Sequence, residues 1–153
     1  MKAQLLFPPL IDASVLWLAS IGQVTLGVHL QKGWCLHLGA KTIFLSSPAD
    51  MMPLLPLLEV GRVQFFDHLT RVGQWRSEYA SAIPAFPEIL LLRFAFESSV
   101  SEYWPSKAID WLDGEPMLAR ELRESLRALL SQGWLPQRLR QRAQVVLKHS
   151  EQD

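Results

Sequence analysis

The sequence predicts a mainly α protein: a single-domain, compact helical bundle over residues 1–153, with room for a small β-hairpin in the N-terminal third. Three observations carry this expectation. Leu118, Leu122, Leu126, Leu129 and Leu130 recur at helical spacing and share about a third of a helix circumference. Pro87, Pro105, Pro116 and Pro136 each stand where a first helical turn tolerates a missing N–H. No Gly/Ser-rich linker, repeat or low-complexity tract divides the chain.

From the N-terminus, residues 10–46 are read as mostly helical, with Asp12 as a cap for a helix reaching about Leu30. Gly22 and Gly27 count against that helix, each costing about 1 kcal/mol relative to alanine. Trp34 to Leu45 alternates in places, and Thr42-Ile43-Phe44 is strand-prone, which is where the hairpin would lie. Ser47-Pro48 starts a short helix that Pro53 and Pro56 keep short. Gly61 to Val72 suits a helix with Val63, Phe66, Leu69 and Val72 inward.

Pro87 opens a central helix through about Phe96, and Glu102 to Leu112 a short one with Trp104, Ala108 and Trp111 on one side. Asp113-Gly114-Glu115-Pro116 starts the leucine-striped helix, with acids at its positive end. Gly133 suits a left-handed cap, and Pro136 opens a last helix with Leu139, Ala143, Val146 and Leu147 on one face. The core expected over residues 88–149 includes Leu91, Leu92, Trp104, Ala108, Trp111, Leu122, Leu126, Leu129, Leu139 and Val146.

Fifteen basic and fifteen acidic side chains leave no net charge, which argues against a surface wholly given to nucleic acid or an anionic membrane. The balance shifts along the chain: residues 59–114 are net acidic and 115–153 mildly basic. Cys35 stands alone, so an internal disulfide is excluded and a reducing compartment fits. The N-terminal stretch lacks a signal-peptide pattern. Ala13 to Leu30 has the length of a membrane span, but Ser14, Ser20, Gln23, Thr25 and His29 make it an expensive one. A buried helix or a pair of core strands is the better reading, and a cytoplasmic location is expected.

Catalytic patterns are missing from the sequence. The eight glycines form no phosphate loop, and no Gly-x-Ser-x-Gly or His-Glu-x-x-His stretch occurs. Cys35, His37 and His29 offer ligand chemistry, but zinc wants four such groups, and His68 and His149 lie far off in sequence. A buried structural cysteine is therefore expected, with no enzyme activity, metal, nucleotide or other cofactor. Trp75 lies in the polar stretch Gly73-Gln74-Trp75-Arg76-Ser77-Glu78-Tyr79, where an exposed Trp75–Tyr79 pair would suit a partner contact. The last two helices also suit a helix-turn-helix DNA reader over residues 134–148, with Arg138, Arg140 and Arg142 supplying charge. Net neutrality makes that the second choice.

The segment Phe96-Glu97-Ser98-Ser99-Val100-Ser101-Glu102-Tyr103-Trp104-Pro105-Ser106-Lys107-Ala108-Ile109-Asp110-Trp111-Leu112, an amphipathic helix, and then Leu135 to Ala143 form a pattern. It resembles that of small bacterial immunity proteins of polymorphic toxin systems, including contact-dependent growth inhibition. Tyr103-Trp104 opens a short helix ending in Trp111-Leu112, and Gln137, Leu139 and Arg140 match the string that opens the family's last helix. Leu135-Pro136 stands where Tyr-Ser is usual, and Gln141 where His is usual. The resemblance spans about residues 94–149. It implies a cytoplasmic, non-catalytic protein that binds and neutralises one cognate toxin domain, often a nuclease, in a stable one-to-one complex. No nucleic acid or membrane partner is implied. A basic toxin cleft would be met by acids of the middle region. With the aromatic pair, the expected contact set is Glu59, Asp67, Trp75, Glu78, Tyr79, Glu97, Glu102, Asp110 and Asp113.

Overall fold

The computed structural model describes residues 1–151 and corrects the fold class: the chain is mixed α/β, not a mainly α bundle. Two compact units divide it, Met1–Pro87 and the remainder from Glu88 onward. Phe86-Pro87 joins them without a linker.

The first unit opens with a five-stranded antiparallel meander in the order β1-β2-β3-β4-β5. Its strands are β1 (Ala3–Asp12), β2 (Val15–Ile21), β3 (Val24–His29), β4 (Gly33–Leu38) and β5 (Lys41–Phe44). The expected helix from Asp12 to Leu30 is thus the β2–β3 hairpin with its flanks. Asp12 does not cap a helix; it pairs with Val15 across a two-residue turn. In that turn Ala13 and Ser14 have φ of 50° and 67°, the positive values that match the twist of a tight hairpin. Gly22 (φ 59°) and Gly39 (φ 63°) turn the second and fourth hairpins. In the third, His29 Nδ1 accepts the N–H groups of Gln31 and Lys32, each at 3.1 Å.

One face of the sheet is the core face. Leu16, Leu26, Val28, Trp34 and Leu36 are buried, as are Met51, Leu54, Leu57, Leu58, Phe65 and Leu69 of the following segment. That segment runs through a 3-10 helix (Pro48–Leu54), α1 (Leu57–Val60), α2 (Arg62–Trp75) and 3-10 turns at Ser77–Tyr79 and Ile83–Ala85. Asp50 holds its start, accepting the N–H groups of Ser46 and Ser47 at 3.0 and 3.1 Å, which keeps its carboxyl below the usual range. Trp34 anchors the sheet to the last turns: its ring meets Phe86 edge-on at 5.0 Å, and its Nε1 donates to the Ala82 carbonyl at 3.3 Å.

The buried stripe of α2 is Phe65, His68, Leu69 and Val72: Leu69 and Val72 face inward as expected, Phe65 is buried where Phe66 was expected, and Val63 is 75% exposed. The stripe is regular only if the histidine belongs to it. His68 belongs because β2 bulges: register shifts between Trp17 and Ala19, and the Leu18 carbonyl takes the His68 Nε2 at 2.9 Å. Burial, partly offset by that bond and helped by Arg71, pushes the imidazole below its ordinary value.

The second unit is built from α3 (Glu88–Ser98), α4 (Tyr103–Trp111), α5 (Pro116–Glu121), α6 (Arg123–Leu130) and α7 (Gln137–Ser150). Its buried side chains include Leu91, Leu92, Ala108, Trp111, Leu122, Leu126, Leu129 and Leu139 from the expected core; Trp104 and Val146 are half-buried. Trp111 Nε1 donates to Glu88 at 3.0 Å, so the large ring is buried with its polar atom partnered. The leucine-striped helix is interrupted at Leu122, whose φ of −102° and ψ of 13° separate α5 from α6. Gly133 does not cap α6 in the left-handed region. Instead Arg140 reaches back from α7 and donates to the carbonyls of Leu130 at 2.6 Å and Gln132 at 3.0 Å, satisfying groups that a helix end leaves open.

Candidate functional site

The expected contact residues fall into two sets, one in each unit. In the first, Glu59 lies on α1 and Asp67 on α2, both exposed. Trp75 closes α2 and is 44% exposed. Glu78 is exposed in the 3-10 turn that follows. Tyr79 corrects the expected exposed pair, for it is only 3% exposed. The tight turn after Arg76, with the Tyr79 N–H on the Arg76 carbonyl at 3.0 Å, swings the phenol inward, and burial with the neighbouring Glu78 charge raises its pKa.

Trp75 is held while exposed. Phe7 of β1 meets it edge-on at 6.1 Å, and the Arg76 guanidinium lies 4.7 Å from its ring centre. Arg71, one turn back on α2, stacks 3.6 Å over Phe7. Two aromatic rings thus alternate with two guanidinium groups, and the contacts restrict the rotamers of all four side chains. Phe7 and the arginines were not singled out from sequence. The i, i+4 spacing of Arg71 and Trp75 was the only local signal, since Phe7 arrives from a distant strand. Beside this cluster, a cavity of about 380 Å³ lined by Phe66, Leu69, Gly73, Ala80, Ile83 and Pro84 lies between α2 and the 3-10 turns.

In the second unit, Glu97 is tied inward. Burial opposes its charge, but the Ser125 hydroxyl at 2.5 Å and Arg93 at 3.2 Å outweigh it and hold the carboxyl below the usual range. Asp110 and Asp113 are exposed and line one half of a groove between α4 and α7, and exposed Glu102 lines the other half. The half at Asp110 and Asp113 is about 610 Å³, with Ile109 and Val146 in its lining. Arg138 and Arg142 line both halves, and Arg142 spans the groove to Asp110 at 2.5 Å and Ser106 at 3.3 Å. The groove is therefore mixed in charge, not the acidic face expected.

Cys35 is fully buried on β4 opposite Gly27, and burial raises its thiol pKa to about 11. Among the described residues, no group of three His, Cys, Asp or Glu side chains is placed to hold a metal, and no helix is long and apolar enough to cross a membrane. Comparison with family models, with curated proteins and with solved structures finds no match for this chain.

Proposed function

We propose that the chain is a non-catalytic immunity protein that binds one cognate bacterial toxin domain in the cytoplasm, one to one, and neutralises it. The observation that carries the reading is the Trp75 cluster. A tryptophan 44% exposed and braced by Phe7 and Arg76 is the kind of side chain that dominates protein interfaces, because it has little rotamer freedom left to lose on binding. Exposed Glu78 beside it, and Asp67 on the same helix, supply the charge that a basic nuclease cleft would meet. The likeness of residues 94–149 to immunity proteins supports the same reading.

A helix-turn-helix reader over residues 134–148 fits less well. Arg140 is committed to the carbonyls at the end of α6, which takes one of its three arginines away from a DNA contact.

The test is genetic and then biochemical. The gene just upstream should encode a large secreted protein whose C-terminal domain co-purifies with this chain and loses its toxicity when the two are co-expressed. Undiminished toxicity and no capture, together with salt-sensitive binding to duplex DNA, would remove the reading.

A further inference from the structure

The groove of the second unit carries more positive charge in one half than its acids consume. That half, about 320 Å³, is lined by Lys107 and Tyr103 of α4 and by Arg138 and Arg142 of α7, with Glu102 as its one acidic side chain. Arg138 and Arg142 are four residues apart, so they leave the same side of α7. Their guanidinium groups differ in state. Arg142 is oriented by two acceptors from α4, Ser106 Oγ at 3.3 Å and Asp110 Oδ1 at 2.5 Å, which fixes its planar set of donors before any ligand arrives. Arg138 is exposed at the junction of the two halves. The Lys107 ammonium lies 5.7 Å from the Tyr103 ring centre, and both residues line the half-groove.

We infer that this half-groove is a phosphate site, with Arg138, Arg142 and Lys107 as its donors. A phosphate dianion presents several oxygens to three cationic groups, and its charge exceeds that of a carboxylate. The paired Asp110 offsets Arg142 in the empty groove, so it limits affinity while it fixes geometry. Asp110→Asn keeps an oxygen acceptor for Arg142 and removes that charge. The site does not rest on the toxin-binding reading, since its donors lie in the second unit and the Trp75 cluster in the first.

The experiment is a titration of the isotopically labelled full chain with inorganic phosphate at constant ionic strength, following the arginine Nε–H signals and backbone amides by NMR. Phenyl phosphate in a second titration distinguishes a phosphate ester from the free ion, because its ring can use Tyr103. Sodium acetate and sodium chloride are the references. The expected result is saturable binding confined to α4 and α7, with phosphate at least about tenfold tighter than acetate, the difference of one charge-assisted bond. Lys107→Ala with Arg138→Ala should weaken it at least about tenfold with the rest of the amide spectrum unchanged, and Asp110→Asn should tighten it. Unsaturating shifts equal to those of chloride, or unchanged affinity in the double variant, would overturn the site. So would weaker binding in Asp110→Asn.

Discussion

The two units solve the same problem with different materials. The helical unit from Glu88 onward is wired by long side chains: Arg140 closes the end of α6, Arg142 crosses to Asp110, Glu97 ties Ser125 to Arg93, and Arg127 joins Glu124 and Glu151. The sheet unit relies on backbone ladders and close ring packing, with Phe86 meeting Phe65 at 4.9 Å and Trp34 at 5.0 Å. His68 bonds the Leu18 carbonyl and Trp34 the Ala82 carbonyl, both long-range side-chain bonds directed at backbone. In the second unit much of the side-chain charge is consumed in its arginine contacts. The groove between α4 and α7 is accordingly mixed in charge, and the proposed partner surface is the exposed Trp75 cluster of the first unit.

The largest expected effects lie in the two cores. Phe65→Ala in the sheet unit and Trp111→Ala in the helical unit should each cost about 3–5 kcal/mol by cavity formation, read by denaturant unfolding. Trp111→Ala also leaves Glu88 without its indole partner, so Trp111→Phe, which keeps most of the packing, separates the two losses.

A glycine contrast sharpens the comparison. At Gly27 an added Cβ would meet Trp17 at 2.6 Å and the Leu16 carbonyl oxygen at 2.8 Å, since the indole lies across the strand there. Gly27→Ala should cost about 1–3 kcal/mol by overpacking. At Gly133 an added Cβ meets nothing within 4 Å and the backbone is outside the left-handed region. Gly133→Ala should leave stability unchanged or raise it by about 0.4–1 kcal/mol. Equal effects at the two positions, by thermal or chemical unfolding, would contradict the packing described.

Arg140→Ala should cost about 1–3 kcal/mol, because the Leu130 carbonyl loses the guanidinium and the Gln132 carbonyl keeps only the Leu135 N–H of the two donors described. Hydrogen exchange should report the loss chiefly at the end of α6. Protection changed equally throughout both units would speak against a local capping role.

The smallest effect is a pH slope in the sheet unit. Burial holds the His68 pKa below its ordinary value of 6.5, so the unfolded chain binds the proton more readily than the folded one. Stability contributed by neutral His68 is present above about pH 6.5 and is lost as the pH falls from there toward the depressed folded value. His68→Gln, which keeps a donor for Leu18 without titrating, should flatten this part of the profile. An unchanged slope between pH 5 and 7 would assign it to another group.

The helical half was legible because its apolar residues recur at helical spacing, as in Leu118, Leu122, Leu126 and Leu129 against Arg120, Glu124 and Arg127, and because prolines stand at its helix starts. Of the sheet, the β4–β5 hairpin was legible from the strand-prone Thr42-Ile43-Phe44, and the rest was hidden because both faces are largely apolar. Val15, Leu16, Leu18 and Ala19 are all buried, and the bulge at Leu18 breaks what alternation remains. A run like that reads as a buried helix by periodicity alone. The overlooked signal was the spacing of turns: Gly22, Gly33 and Gly39, all with positive φ, separate segments of strand length. The turns use Ala-Ser, Gly-Gln and Gly-Ala in place of the Asn-Gly pair that marks a hairpin most strongly. Of the contact set, Trp75 was legible from its polar neighbours. Tyr79 was not, because a three-residue 3-10 turn reverses its direction without a sequence mark. Phe7 and Arg71 depend on where β1 lies beside α2, which local sequence does not encode.

The proposed role of Trp75 as the anchor of a protein partner is tested most directly by binding kinetics. The toxin domain proposed to be encoded upstream is purified and passed over immobilised wild-type chain and over the Trp75→Ala variant, whose far-ultraviolet spectrum and unfolding midpoint are checked first. Nanomolar affinity is expected for the wild type, about −12 kcal/mol. Truncating the indole should weaken it by at least about thirtyfold, roughly 2 kcal/mol, mainly through faster dissociation. Binding of the same strength and lifetime in Trp75→Ala would contradict the account.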